Sequence, residues 1–239
     1  MNQAWTTLVS LLLWITSMLF FMVAASLFML LGLAFEPRRL YPLARLIART
    51  LLLLMGQRVL VTGPPPPPSE GPYIYVFNHS SLLDAILPIA VIPEFVRGVG
   101  KKEQFQVPFW GGALKRYGVV ALDRGQRDQA IAALTGVEAA LAAGDSLLIA
   151  PEGTRSPTGA LQPFKKGAFH IAKNTGATLL PFAIVGAHRS KSRGSWLLRP
   201  GRLELRWGRP IALTSELSVE ELRDEAHARL AALLASSAA

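Results

Sequence analysis

From Trp5 to Phe35 the chain reads WTTLVSLLLWITSMLFFMVAASLFMLLGLAF, and no Asp, Glu, Lys or Arg occurs before Glu36. A helix of about 31 residues is about 46 Å long, against a hydrocarbon core of about 30 Å. The segment therefore either crosses a bilayer with tilt or dips in and turns near Ser26 or Gly32. It lacks the polar face of a soluble helix. It also lacks a basic n-region and is too long for a cleaved signal peptide. Residues 41–56, YPLARLIARTLLLLMG, carry a second helical pattern with Arg45 and Arg49 one turn apart. Such a helix either lies in the membrane interface with its arginines among lipid phosphates or packs on the following domain.

Five prolines, Pro64 to Pro68, then impose an extended spacer. Beyond them short apolar runs alternate with helical patterns. Tyr73–Phe77, Val119–Leu122, Ser146–Ala150, Leu179–Val185 and Leu203–Trp207 read as strands. Residues 126–143, 165–175 and 219–235 read as helices, the last opened by Ser218 with Glu221 three residues on, a capping box. This alternation predicts an α/β fold, a mixed and largely parallel central sheet flanked by helices, behind an N-terminal membrane-associated helical segment. The division that follows is 1–60 for the anchor and interfacial helix and 61–239 for the α/β domain.

Composition changes the picture in one respect. The chain of 239 residues is 51% hydrophobic with a mean hydropathy of +0.33, yet its net charge is +9. All of that charge lies beyond the leader, so a basic domain follows an uncharged apolar segment, which points to an anionic partner. Arg38, Arg39, Arg45 and Arg49 just after the leader place its carboxy-terminal side in the cytoplasm by the positive-inside rule. Nucleic acid is set aside, because no stacking-aromatic or groove-reading motif accompanies the charge. The absence of cysteine excludes disulfides, thiolate metal sites and a cysteine nucleophile.

Three polar clusters stand just past three strand ends: His79 in NHSSLLD, Asp123-Arg124, and Pro151-Glu152-Gly153-Thr154-Arg155. Ligands of open α/β sheets gather at the carboxyl ends of strands. A histidine near neutrality can take a proton from an alcohol, and a carboxylate on its far ring nitrogen fixes the tautomer and stabilises the imidazolium. Asp84 is the candidate partner. Five residues on a regular helix turn through about 500°, so the two meet only if His79 lies in a turn before the helix. No G-x-S-x-G elbow and no H-E-x-x-H pattern is present. Arginine beside glycine in PEGTRS suits phosphate oxygens, with Arg124 as a second arm of the clamp. Lys101, Lys102, Lys165 and Lys166 either add to the field or form a solvated basic surface.

NHSSLLD (78–84), GKKEQFQVPFWGGALKRYGVVALDR (100–124), PEGTRS with FKKGAFHIA (151–156 and 164–172) and LLPFAIVG (179–186) resemble, in order and spacing, the four motif blocks of the 1-acylglycerol-3-phosphate acyltransferases. The resemblance covers about Tyr73 to Gly186, roughly half the chain. It implies that His79 is the general base for the glycerol hydroxyl and Asp84 its orienting partner. It implies that Arg124, Glu152, Gly153, Thr154 and Arg155 bind the acceptor's phosphate and glycerol, and that Pro181 shapes the acyl-donor region. The acyl donor would be acyl-CoA or acyl carrier protein, and the acceptor a lysophospholipid held in membrane lipid. No metal and no organic cofactor is expected, and the implied location is a bacterial inner membrane. Ala150 and the ending ALDR are smaller than is common at those points, which touches the pocket walls rather than the reaction type. The alternatives are the same chemistry on a lyso-ornithine lipid or another lysophospholipid, and a catalytically idle membrane lipid-binding protein.

Overall fold

The computed structural model describes residues 3–67, 70–122, 136–211, 213 and 217–236. Its centre is a seven-stranded sheet in the order β1-β7-β6-β2-β5-β3-β4. The strands are β1 (Gln57–Thr62), β2 (Tyr73–Phe77), β3 (Val96–Lys101), β4 (Val120–Leu122), β5 (Ser146–Ile149), β6 (Thr178–Val185) and β7 (Gly201–Trp207). Every pairing is parallel except β6 with β7, which is antiparallel. The mixed, largely parallel sheet expected from the sequence is therefore present.

The apolar strands sort their side chains with period two. Tyr73, Tyr75 and Phe77 of β2 enter one core with Leu180 and Phe182 of β6 and Leu203, Leu205 and Trp207 of β7. Ile74 and Val76, one residue out of phase, enter the opposite core with Leu147, Leu179, Phe169 and Leu222. Both faces of β2 are buried, as a central parallel strand requires. Helices α1 (Gln3–Leu31), α2 (Tyr41–Leu54), α3 (Leu87–Val91) and α4 (Trp110–Tyr117) lie on the first side. On the second are the described part of α5 (136–142), α6 (Gly167–Thr175) and α8 (Val219–Ala235). The capping box of α8 is formed: Ser218 Oγ accepts from Glu221 N at 3.1 Å and Ser218 N donates to Glu221 Oε2 at 2.8 Å. Helix α7 (Ala187–Ser190) follows β6 directly.

Helix α1 is long and apolar enough to cross a membrane, with a mean hydropathy of 2.3 in its most apolar stretch. It is also docked along its length. Ser10, Ser17, Ala24, Ala25 and Phe28 are buried, and at 100° per residue they share an arc within about 60° of one line. The opposite arc, including Leu8, Leu12, Ile15, Leu19, Val23 and Leu30, is exposed and largely apolar, with Ser26 a polar member. Ser10 Oγ donates to Leu198 O at 2.8 Å and Trp14 Nε1 donates to Trp196 O at 2.7 Å. Further along, Phe21 meets Phe109 and Trp110, and Phe28 meets Tyr117. From Ser10 to Phe28, about 27 Å of helix, one face is satisfied by the domain and the other is covered by nothing among the described residues.

Helix α2 packs on the domain, and its arginines, Arg45 partly buried and Arg49 exposed, both reach back to it. Arg49 Nε donates to Ala90 O at 2.9 Å and Arg45 Nη2 to Val91 O at 3.4 Å, both carbonyls at the end of α3. The sheet begins at Gln57, so the boundary read after residue 60 falls inside β1. The proline run lies between β1 and β2, within the sheet's own connections, with Tyr73 Oη donating to Pro67 O at 2.8 Å.

One buried charge ties the anchor to the sheet. Asp145, only 2% exposed, accepts from Arg97 Nε of β3 at 2.5 Å and from Arg38 Nε of the α1–α2 link at 3.1 Å. Removing the carboxylate leaves two guanidinium groups facing each other across a buried gap. Asp145→Asn is expected to lower stability by about 2–3 kcal/mol, less than for a fully buried pair because both arginines are partly solvated. A drop of several degrees in thermal midpoint, measured in detergent, checks this.

Candidate functional site

The carboxyl end of β2 leads into a turn, not a helix. A single 3-10 turn forms at Leu83–Ala85 and α3 starts only at Leu87. This is the geometry in which the His79–Asp84 pair can close, and it does: His79 Nδ1 lies 3.1 Å from Asp84 Oδ2. The same oxygen accepts from Ser80 N at 2.5 Å and Ser81 N at 2.7 Å. Asp84 is fully buried and its Oδ1 has no hydrogen-bond partner among the described residues. Three hydrogen-bond contacts on one oxygen fix the carboxylate in place and aim it at Nδ1. With the Nδ1 proton given to Asp84, Nε2 is the basic nitrogen, and the His79 side chain is a quarter exposed at 25%.

Asn78 sets the direction from which His79 leaves the strand. Its Nδ2 donates to Ile184 O at 2.9 Å and its Oδ1 accepts from Ile184 N at 2.7 Å, extending the β2–β6 pairing by a side chain. Ser81 Oγ donates to Lys191 O at 2.7 Å, which binds the turn to the segment after β6.

The PEGTRS loop after β5, the strand beside β2, comes to the same edge. Ser156 N donates to His79 O at 2.7 Å. Gly153 takes φ +76°, a left-handed turn that favours glycine. Glu152, expected among the substrate-binding residues, faces inward. Only 3% exposed, it accepts from His79 N at 2.6 Å and from Gln162 N and Nε2 at 3.1 and 2.9 Å. Burial pushes its carboxyl above the usual range, and those hydrogen bonds pull it back in part. Glu152 thus holds the backbone of His79. Thr154 Oγ1 accepts from Arg193 Nη1 at 3.4 Å. The Arg155 guanidinium has no hydrogen bond or ion pair among the described residues, while its backbone oxygen accepts from Arg193 Nη1 at 2.8 Å.

Asp123 and Arg124, the second arm of the clamp expected from the sequence, lie outside the described residues. Lys101, Lys102, Lys165 and Lys166 are exposed. Pro181 is buried in β6, its carbonyl accepting from Gly208 N at 2.9 Å. Among the described residues no group of three or more His, Cys, Asp or Glu is placed to hold a metal. Sequence reasoning missed Gln162, the partner of Glu152, for which no signal exists. It also missed the loop 187–195, AHRSKSRGS, whose signal was a cluster of cations just past strand β6.

A histidine paired with a buried carboxylate, and one loop away an arginine with no ion pair among the described residues, stand together at the carboxyl edge of an open α/β sheet and define a class of α/β protein with its site on that edge. Comparison with known proteins narrows the class. The family model described as acyltransferase matches residues 58–185, more than half of the chain, and the chain belongs to that family. It is 34% identical over 164 residues to the 1-acyl-sn-glycerol-3-phosphate acyltransferase of Cocos nucifera, covering 68% of this chain and 53% of that protein. It is 32% identical over 172 residues to the 1-acyl-sn-glycerol-3-phosphate acyltransferase alpha of Mus musculus, covering 70% of this chain and 60% of that protein. The chain thus spans about half the length of the curated relatives it matches. The crystal structure of the 1-acyl-sn-glycerophosphate (LPA) acyltransferase PlsC from Thermotoga maritima superposes with a TM-score of 0.83, covering 98% of this chain and 96% of that one. At 23% identity that likeness speaks to the fold.

Proposed function

We propose that the protein transfers an acyl chain from acyl-CoA or acyl carrier protein to the free hydroxyl of 1-acylglycerol 3-phosphate, giving phosphatidate. The observation that carries this reading is the closed His79–Asp84 pair one loop from an arginine with no counter-charge among the described residues. In the proposed step His79 Nε2 takes the hydroxyl proton as the oxygen attacks the thioester carbonyl carbon. The tetrahedral intermediate collapses, the C–S bond breaks, and the leaving thiolate takes the proton back from the imidazolium. Asp84 stabilises the imidazolium in between. Arg155 holds the acceptor phosphate as a planar, permanently charged fork, and Glu152, Gly153 and Thr154 shape the loop that presents it. No metal or organic cofactor takes part in this scheme; the thioester is a substrate.

The anchor fits an acceptor that carries one long chain and stays in the bilayer. A helix docked on its domain along about 27 Å brings that domain with it, so we read α1 as lying within one leaflet, its exposed apolar arc toward lipid. The arginines after α1 keep the domain on the cytoplasmic side, as in a bacterial inner membrane.

The test is acylation by purified protein, in detergent and in vesicles, across lysolipids that share one chain and differ in headgroup. Lysophosphatidate is expected to be used best, with phosphatidate as product. Arg155→Gln should lower kcat/KM for lysophosphatidate by about 10- to 100-fold, the worth of a charged hydrogen bond, and narrow its lead over monoacylglycerol. Equal use of lysophosphatidylcholine by the wild type, or no thioester consumption with any acceptor, overturns the reading.

A further inference from the structure

From Gly153 to Leu203 the chain contains no Asp or Glu, and within that stretch the residues after β6 read HRSKSR (188–193). The chain leaves β6 through Gly186 at φ +91°, where an added Cβ would sit 2.2 Å from Arg202 O. That sharp exit throws α7 and its following loop back over the carboxyl edge of the sheet. There the loop is laced to both parts of the site. Ser81 Oγ of the His79 turn donates to Lys191 O at 2.7 Å. Arg193 Nη1 donates to Arg155 O at 2.8 Å and Thr154 Oγ1 at 3.4 Å. His188 packs on Gly159, where a Cβ would meet its ring at 2.8 Å.

The Lys191 ammonium is half-buried and fixed. It donates to Ser192 O at 3.2 Å and to Ser195 O, two neutral carbonyls. An ammonium has three donors, so one remains, and no carboxylate pairs with it among the described residues. Burial, together with the charge of Arg155, pushes its pKa below the ordinary lysine value. Two neighbouring cations at a partly buried edge, neither paired with a carboxylate among the described residues, describe a place for an anion.

The loop also says from which side the anion comes. Arg199 N donates to Ser190 O at 2.9 Å, closing the segment 191–198 on itself. Its outer end is the part that α1 grips, through Trp14 to Trp196 O and Ser10 to Leu198. One short loop therefore reaches from the anchor helix to the His79 turn, and its Trp196 is exposed at 52%.

We propose that Lys191 and Arg155 form a two-cation subsite that receives the phosphate monoester of the lysolipid acceptor, with loop 191–198 braced on α1 so that the subsite faces the lipid. This rests on the function proposed above and assigns to that site a cation contributed from beyond the four motif blocks.

The test measures binding apart from turnover. Calorimetric titration in detergent micelles compares lysophosphatidate with monoacylglycerol of the same chain, for wild type, Lys191→Met and Lys191→Arg, and steady-state kinetics give KM for acyl-CoA. Lys191→Met is expected to weaken lysophosphatidate by about 10-fold or more, the loss of one charge-assisted contact, with monoacylglycerol binding and the acyl-CoA KM unmoved. Lys191→Arg should recover most of the loss. An equal loss for both lipids would make Lys191 a loop pin and overturn the subsite. A loss confined to acyl-CoA would give the anion to the donor and overturn it equally, as would unchanged binding throughout. If the wild type binds lysophosphatidate through Lys191 yet does not acylate it, the subsite stands and the proposed function falls.

Discussion

His79→Ala is expected to lower acyl transfer by about 10²- to 10⁴-fold, the range that a positioned general base supplies. The fold should survive. The ring is partly exposed, and Asp84 Oδ2 keeps the amides of Ser80 and Ser81 at 2.5 and 2.7 Å. The backbone of residue 79 stays held by Glu152 and Ser156, neither of which uses the imidazole. Turnover should therefore collapse while the thermal midpoint and membrane partition stay near wild type. If turnover stays within a few-fold of wild type, the hydroxyl proton goes elsewhere.

Asp84→Asn is the second large effect, and the turn dictates its form. The two amides of Ser80 and Ser81 require an acceptor, so the asparagine oxygen must take the Oδ2 position. Nδ1–H of His79 then keeps its hydrogen bond and its tautomer, and only the negative charge is lost. The new amide NH2 falls where Oδ1 now lies buried with no hydrogen-bond partner among the described residues, which costs about 1–3 kcal/mol. The expected result is a fall in kcat of about 10²-fold or more together with a lower thermal midpoint. Because the tautomer is preserved, the rate loss reports the stabilisation of imidazolium by charge. Stability lost without rate would leave Asp84 as the organiser of the turn alone.

Those two residues were legible in the sequence because their chemistry is local: a turn five residues long after a strand that is apolar throughout. The strands β2, β5 and β6 were legible for the same reason, being buried on both faces. The structure adds β1 and β3. QRVLVT is an edge strand with Val59 and Val61 exposed, and VRGVGK mixes glycine and charge with its valines, so neither presents an apolar run. Helix α4, WGGALKRY, was hidden by its two glycines; at Gly111 a Cβ would come within 2.2 Å of Phe105 O, a packing demand with no helical signature. The inward turn of Glu152 was illegible because its partner, Gln162, is ten residues away across a loop. Whether α1 stands alone was illegible too. Its docked face is marked only by small residues, Ser10, Ser17, Ala24 and Ala25, inside a run that hydropathy reads as uniform.

The placement of the loops on one edge follows from sheet order rather than from any motif. β6, β2 and β5 are neighbours in that order, so the segments after them, carrying Lys191, His79 and Arg155, meet. The first of these has no motif of its own, which is why a cation there went unassigned until the topology was known.

The central claim is that the nucleophile arrives with the substrate. Rapid mixing of purified protein with acyl-CoA, followed by intact-protein mass, tests it directly. Without acceptor the account predicts no burst of free thiol and no acylated protein. Adding lysophosphatidate should release thiol in step with phosphatidate from the first turnover. A burst of thiol equal to the enzyme present, with an acyl group left on the protein, would contradict it.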